Sequence, residues 1–420
     1  MDEHNPTHKK QKIAALHQQL IDQLKSNRHI TSRSVEAAFR AVPRHLFLPN
    51  IALKEVYQDQ AIVTKSLDER VVSSSSQPTM MAIMLEQLQL QPGQRVLEIG
   101  AGTGYNAALM AHIVGKRGQV ITVDIDEDIV ENARAHLQAA GYEQVQVICA
   151  DGFAGYKEAA PYDRIILTVN AADIAPAWRE QLKPDGRLLL PLSLHGPQVS
   201  VVFKPLDDHL ESVSMSFCRF VSLRGALAEE THTIELQPTP DLLHLSTTSA
   251  PSVEATTIRQ WLMHPYQEMS TSVLVTPQDL QSSLSLWLAT HEPGFCILMA
   301  QGSEANHHIM PLHFPGRTMS VTGGLLNEQS LCLLVKDSEQ TPTEASGEQQ
   351  PFTLKIRSAG TDPQHILAQR LKAEIETWDR AGRPDAHRLH IKAFPEHVYY
   401  QKEEQEQIVS QHWTQFVIKW

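Results

Sequence analysis

The stretch VLEIGAGTGYNAALMA, residues 96–111, sets three glycines between an apolar run and an alanine-rich one. Val96, Leu97 and Ile99 read as the end of a strand, Gly100, Gly102 and Gly104 as a turn, and a helix is expected from Tyr105. Glycine suits such a turn because the backbone must reverse sharply and come close to a ligand. Two ligand classes use it. A dinucleotide site spaces its glycines GxGxxG and rests pyrophosphate on the helix N-terminus. Here the spacing is GxGxG, and Glu98 stands two residues before the first glycine. A carboxylate there repels pyrophosphate and suits a cation, and S-adenosyl-L-methionine carries both a sulfonium and an ammonium. That cofactor is therefore the expected ligand. A second acid, Asp124 in QVITVDIDED, comes about twenty residues past the loop, where it can accept hydrogen bonds from both ribose hydroxyls. A third, Asp151 in VICADGF, could reach the adenine amino group. Either acid alone also reads as a helix cap or a solvated turn. Three strand-end features in this order carry the assignment.

These residues need a strand-and-helix frame, and the pattern from about residue 80 to 204 supplies one. Strands are expected at Arg95–Ile99, Gln119–Val123, Val145–Cys149, Arg164–Thr168, Arg187–Pro191 and Val199–Lys204, with helices near 79–90, 104–115, 127–140 and 173–183. Short β-rich runs alternating with helices imply a parallel, doubly wound sheet. Upstream, Ile13, Leu16, Leu20, Ile21 and Leu24 mark one face of a helix, and a second follows with Val35, Ala38, Phe39 and Val42 before Pro43. Residues 1–50 are read as an N-terminal helical region and 51–230 as the cofactor-binding domain. Residues 231–257, rich in Pro, Ser and Thr, look like a linker. Beyond them, 258–420 is expected to be an α+β domain, with strand-like runs near 296–300, 331–335, 352–358 and 388–394 and a helix at His365–Asp379. Its segment 336–351 reads as a polar loop. In the C-terminal HWTQFVIKW, alternating Trp413, Phe416, Ile418 and Trp420 read as core packing or a sheet edge.

Composition narrows the partners. The formal net charge of -12 offers no overall positive field for nucleic acid or an anionic membrane. MDEHNPTHKKQKIAAL lacks the apolar core of a signal peptide, and no long apolar run follows, so a cytoplasmic location is expected. Cys149, Cys218, Cys296 and Cys332 form no CxxC pair and read as plain thiols. His307, His308 and His313 in HHIMPLHF lack the spacing of a zinc helix, and no metal site is expected.

The run SSSSQPTMMAIMLEQL before the glycine loop, then DGFAGYKEAAPYDRIILT, QLKPDGRLLLPL and CRFVSLRG, with VPRHLFLP and YQD upstream, resembles the protein-L-isoaspartate O-methyltransferases. The resemblance covers about residues 30–225. It implies a Rossmann-like class I S-adenosyl-L-methionine-dependent methyltransferase domain, and a methyl group transferred to the carboxylate of an isoaspartyl or aspartyl residue in a protein or peptide. By the same resemblance Ser76 holds the substrate carboxylate. On the residues alone it also reads as the N-cap of the helix that follows Pro78. Cofactor contacts are expected from Ser76 and Glu98, from Gly100, Ala101, Gly102, Thr103 and Gly104, from Asp124 with Ile125, and from Asp151 with Gly152. This sequence departs from the family at Ser-Ser-Ser before Gln-Pro and at VNAAD after IILT, and it continues for nearly two hundred residues beyond CRFVSLRG. Extended relatives accompany ribosomally made peptides, so the resemblance leaves open general repair or a dedicated peptide substrate gripped by the extra domain. A non-catalytic module that only binds the cofactor is a third reading.

Overall fold

The computed structural model describes residues 6–67, 70–228, 232–237, 242–247, 253–263, 266–301, 319–337, 351–404 and 406–420. Helices α1 (Pro6–Ser26), α2 (Arg33–Ala41) and α3 (Leu53–Val56) lead into a hairpin of β1 (Ile62–Leu67) and β2 (Arg70–Ser75). Ser32 caps α2 by accepting from the Val35 amide. The apolar faces of α1 and α2, including Leu20, Leu24, Val35 and Phe39, are buried in one core with α4 (Pro78–Leu88) and α5 (Tyr105–Val114). Over its described residues the N-terminal helical region therefore shares its core with the helices of the sheet. An amphipathic face is stable only when covered, and here the sheet's own helices cover it.

After α4 come β3 (Arg95–Ile99), α5, β4 (Gln119–Asp124), α6 (Glu127–Ala139), β5 (Gln146–Cys149), β6 (Tyr162–Leu167), α7 (Pro176–Gln181), β7 (Leu182–Ser193), β8 (Gln198–Leu206) and β9 (His209–Cys218). Strands β5, β4, β3, β6 and β7 run parallel in that spatial order, and β8 and β9 continue the sheet antiparallel. This is the doubly wound, Rossmann-like arrangement that the alternation of strands and helices predicts. Covered on both faces, its central strands are almost wholly apolar, as in RIIL and VLEI.

Strands β10 (His232–Gln237) and β11 (Leu243–Thr247) pair with each other, and β11 pairs onward in a second sheet of seven strands. The linker reading of 231–257 is therefore corrected. Leu236, Leu243 and Leu245 are buried, an alternation too brief to show through the Pro, Ser and Thr around it. Helix α8 (Ala255–Met263) and β12 (Gln267–Val275) follow, then α9 (Pro277–Asp279), which runs through a π-helical turn into α10 (Ser285–His291). Strands β13 (Phe295–Gln301), β14 (Met319–Leu326), β15 (Ser330–Lys336) and β16 (Phe352–Gly360) complete the second sheet, with α11 (Ile366–Arg380) burying Leu367, Leu371, Ile375 and Trp378 against it.

The last three strands go elsewhere. β17 (His390–Pro395), β18 (Gln407–Ser410) and β19 (Thr414–Lys419) add to the first sheet beyond β9, giving ten strands in the order β18-β19-β17-β9-β8-β7-β6-β3-β4-β5. Residues 258–420 are thus not one α+β unit. β9 would otherwise be an open edge, and Ile391, Ala393, Phe416 and Ile418 extend its core. Of the C-terminal aromatics, Phe416 is buried in β19, which lies between β17 and β18 and not at an edge, while Trp413 precedes that strand. Segments 338–350 and 302–318, the latter with His307, His308 and His313, lie outside the described residues. Cys218, Cys296 and Cys332 are buried free thiols, and Cys149 is exposed. Among the described residues no group of His, Cys, Asp and Glu is arranged to hold a metal, and no helix is long and apolar enough to cross a membrane.

Candidate active site

An open cleft lies at the C-terminal ends of β3, β4 and β6, where ligands bind in open α/β sheets. Residues 100–103 of the glycine loop line it. At Gly100, with φ +102°, an added Cβ would come within 2.6 Å of the Thr168 hydroxyl, which itself donates to the Gly100 carbonyl at 2.6 Å. Gly152 lies against Ile99, and its carbonyl accepts from Trp178 Nε1 at 2.8 Å. Only glycine fits either place.

The cleft wall includes Ser76, Gly100, Ala101, Gly102, Thr103, Asp124, Ile125 and Gly152. Asp124 accepts from the Gly102 amide at 3.2 Å and the Asp126 amide at 3.3 Å, so the strand-end acid is bonded to the loop it serves. Burial is the largest influence on it and raises its pKa.

Three expected contacts sit behind the wall. Gly104 is the N-cap of α5, with φ +83°, and a Cβ there would meet Leu137 and the Ala133 carbonyl. Glu98 is fully buried: Thr122 Oγ1 donates to it at 2.7 Å and Asn106 Nδ2 at 2.8 Å. Burial pushes its pKa up to about 7 despite those two bonds. Asn106, its hydrogen-bond donor, lines the cleft, whereas Glu98 does not. Asp151 accepts from the Phe153 amide at 2.9 Å and the Ala226 amide at 2.8 Å, so its carboxylate fastens the 225–226 turn against the sheet.

Ser76 reaches the cleft on a different element, the strand-to-helix step after β2. It is not the helix cap: Gln77 is the N-cap of α4, and Asp59 supplies the capping carboxylate, accepting from the Thr79 amide at 2.8 Å and the Thr79 hydroxyl at 2.7 Å. Ser76 Oγ makes no hydrogen bond within the described protein. Its carbonyl accepts from Arg44 Nη2 at 3.0 Å.

Four features escaped the residue-by-residue reading: Asn106, Arg44, Thr168 and an ion-pair clasp. In the clasp, Asp126 takes Lys65 of β1 at 2.9 Å and Arg224 at 2.7 Å, joining the hairpin, the start of α6 and the 221–224 segment beside the cleft. Arg224 holds the Asp126 pKa down. Arg44 and Arg224 lie within VPRHLFLP and CRFVSLRG, but nothing local announced their partners.

Residues 15–228 match the family described as Protein-L-isoaspartate(D-aspartate) O-methyltransferase (PCMT). The chain belongs to this family. Protein-L-isoaspartate O-methyltransferase 2 of Archaeoglobus fulgidus is 43% identical over 194 residues, covering 46% of this chain and 86% of the relative. The Protein-L-isoaspartate O-methyltransferase of Methanopyrus kandleri is 39% identical over 210 residues, covering 50% and 91%. A solved protein-L-isoaspartate O-methyltransferase is 24% identical, with a TM-score of 0.49 and coverage of 90% of this chain and 96% of its own. Membership makes this chain an S-adenosyl-L-methionine-dependent methyltransferase, and the glycine loop with Asp124 at the next strand end fits that cofactor. The two sequence relatives match only about half of this chain.

Proposed function

We propose that this PCMT-family chain methylates a carboxylate of an isoaspartyl or aspartyl residue in a protein or peptide. The observation that carries the reading is the position of Ser76: its uncommitted hydroxyl shares one cleft with the Gly100–Gly102 loop and Asp124. When bound, the cofactor supplies an electrophilic methyl group on a sulfonium. We assign its contacts to Gly100, Ala101, Gly102 and Thr103, to Asp124 and Ile125, to Gly152 and to Ser76 at the reacting end. Glu98 acts through Asn106, Gly104 through the helix start, and Asp151 through the 225–226 turn.

A substrate carboxyl has an ordinary pKa of about 4 and is already ionised at neutral pH, so no general base is needed. The protein's task is alignment, for which effective molarities of about 10⁵ M or more are available. Ser76 donates a hydrogen bond that fixes the carboxylate oxygen. The hairpin, held by Lys65, lines one side of the cleft with Val72 to Ser75, and any water it displaces from a bound substrate strengthens the attraction between opposite charges.

The test is radiolabelled methyl transfer to an isoaspartyl peptide, with its aspartyl twin alongside. Label is expected in the isoaspartyl peptide and released by mild base, as a methyl ester requires. Labelled product that survives mild base rejects carboxyl methylation. Turnover of simple isoaspartyl peptides favours repair of damaged proteins, whereas turnover confined to one aspartyl peptide favours a dedicated substrate.

A further inference from the structure

Arg44 is fully buried in the core yet has no carboxylate partner among the described residues. Its guanidinium donates only to neutral acceptors: the carbonyls of Val56 at 2.9 Å, Gln58 at 3.3 Å, Gln60 at 3.2 Å, Ser75 at 3.3 Å and Ser76 at 3.0 Å, and the Ser75 hydroxyl at 3.3 Å. Nε has no hydrogen-bond partner. Tyr57 and Tyr105 also face it, both held as neutral phenols by burial, Tyr57 with its pKa pushed up to about 12 and its hydroxyl bonded to His45. Asp59 attracts it through space, but its oxygens are taken by Thr79 and Gln77. Burial lowers the Arg44 pKa, but arginine remains a cation at neutral pH.

A buried cation without an anion is costly, and a protein that keeps one has reason to meet an anion there. The place is defined. Ser75 and Ser76, whose carbonyls are turned to Arg44, line the cleft, and Arg44 does not. An acid resting on the Ser76 hydroxyl thus has a positive charge directly behind the strand and no backbone carbonyl of Ser75 or Ser76 facing it. The charged groups on the cleft wall itself are Asp124, which repels an anion, and Arg224, which is paired with Asp126, an acid it shares with Lys65.

We infer that Arg44 is a positioning residue that holds the substrate carboxylate, acting through Ser75 and Ser76 as its unexposed counter-charge. The inference rests on the carboxylate reading above and adds the group that selects an anionic acceptor. Two measurements test it. In the wild-type chain saturated with S-adenosylhomocysteine, the ¹³C-labelled side carboxylate of a bound isoaspartyl peptide is titrated by NMR. Its pKa is expected about one unit below that of the free peptide; an equal or higher value overturns the inference whether or not any variant folds. Next, Arg44→Met and Arg44→Lys are compared with wild type for KM, for the acid limb of kcat against pH, and for S-adenosylhomocysteine affinity. Arg44→Met is expected to raise the peptide KM about tenfold and shift the limb about one pH unit upward, while Arg44→Lys keeps the limb in place and affinity for the cofactor product is unchanged in both. If wild type turns over the peptide and Arg44→Met leaves KM and the limb unmoved, or both variants shift the limb equally, Arg44 is only a scaffold. If wild type leaves every carboxyl peptide untouched, the functional reading itself fails, and this inference with it.

Discussion

Ser76, Asp124 and Glu98 have separable roles because they sit at different depths. Ser76 is on the wall with a free hydroxyl and does not cap α4, so Ser76→Ala is expected to cut methyl transfer far more than it weakens S-adenosylhomocysteine, with thermal stability near wild type. A parallel drop in stability would return it to a structural role. Asp124→Ala should do the reverse, weakening S-adenosylhomocysteine by about 1–3 kcal/mol in calorimetry, the range for lost charge-assisted hydrogen bonds. Glu98 lies below both, and its effect is on stability. With its pKa raised from 4.5 to about 7, the unfolded chain releases the proton first as pH rises. Folding therefore loses stability between those two values, by about 3 kcal/mol in total, and is level above them. Glu98→Gln keeps an acceptor for Asn106 and removes this loss. Its advantage in Tm over wild type should be absent at acid pH, widen through that window and then stop growing.

At the scale of elements, the hairpin is the part that nothing in the helix-and-strand rhythm required. It carries the exposed apolar Val63, Leu67 and Val71 on its outside, turns Ser73–Ser76 inward, and is fastened by Lys65 to Asp126 and Asp128 at the start of α6. Asp126→Ala removes the shared anion of Lys65 and Arg224. Partly exposed ion pairs contribute about 1 kcal/mol or less each, so the fold should survive while S-adenosylhomocysteine binding weakens several-fold. Hydrogen exchange across 62–75 should quicken, and high salt should narrow the gap from wild type. Unchanged exchange there would mean that the hairpin is held by its root alone.

At the scale of the whole molecule, strands β17–β19 return to the sheet that carries the cleft. Asp173, in the VNAAD segment that departs from the family, accepts from the Trp413 amide at 2.7 Å, and Arg179 donates to the Ala393 carbonyl at 3.0 Å and Thr414 Oγ1 at 3.2 Å. Trp420 then packs on Trp287 and donates to Thr290 at 3.2 Å, tying that strand to the second sheet. On the sequence alone, a chain ending near Gly225 should keep the cofactor site, since all the assigned residues precede it. The structure predicts otherwise. Such a chain loses the Ala226 amide that Asp151 holds, opens the β9 edge and uncovers the apolar layer under Ile391, Phe416 and Ile418. It is expected to self-associate in sedimentation and to bind S-adenosylhomocysteine poorly. A monomer of full affinity would show the extension to be dispensable for the site.

The parallel sheet and the residues that line the cleft at its strand ends were legible because the signals are local. A glycine loop, an acid at the end of the next strand and the alternation of apolar runs with helices are short-range patterns, and the parallel sheet follows from them; β3 begins and ends where its residues predict. What was not legible depends on partners far apart in the chain. That Glu98 would be sealed under Asn106, that Asp59 rather than Ser76 would cap α4, and that Arg44 would lie behind Ser76 are all consequences of packing. The same holds for strands β17–β19. Their alternation marks them as β structure but carries no information on which sheet has an open edge, and that was decided only when β9 needed covering.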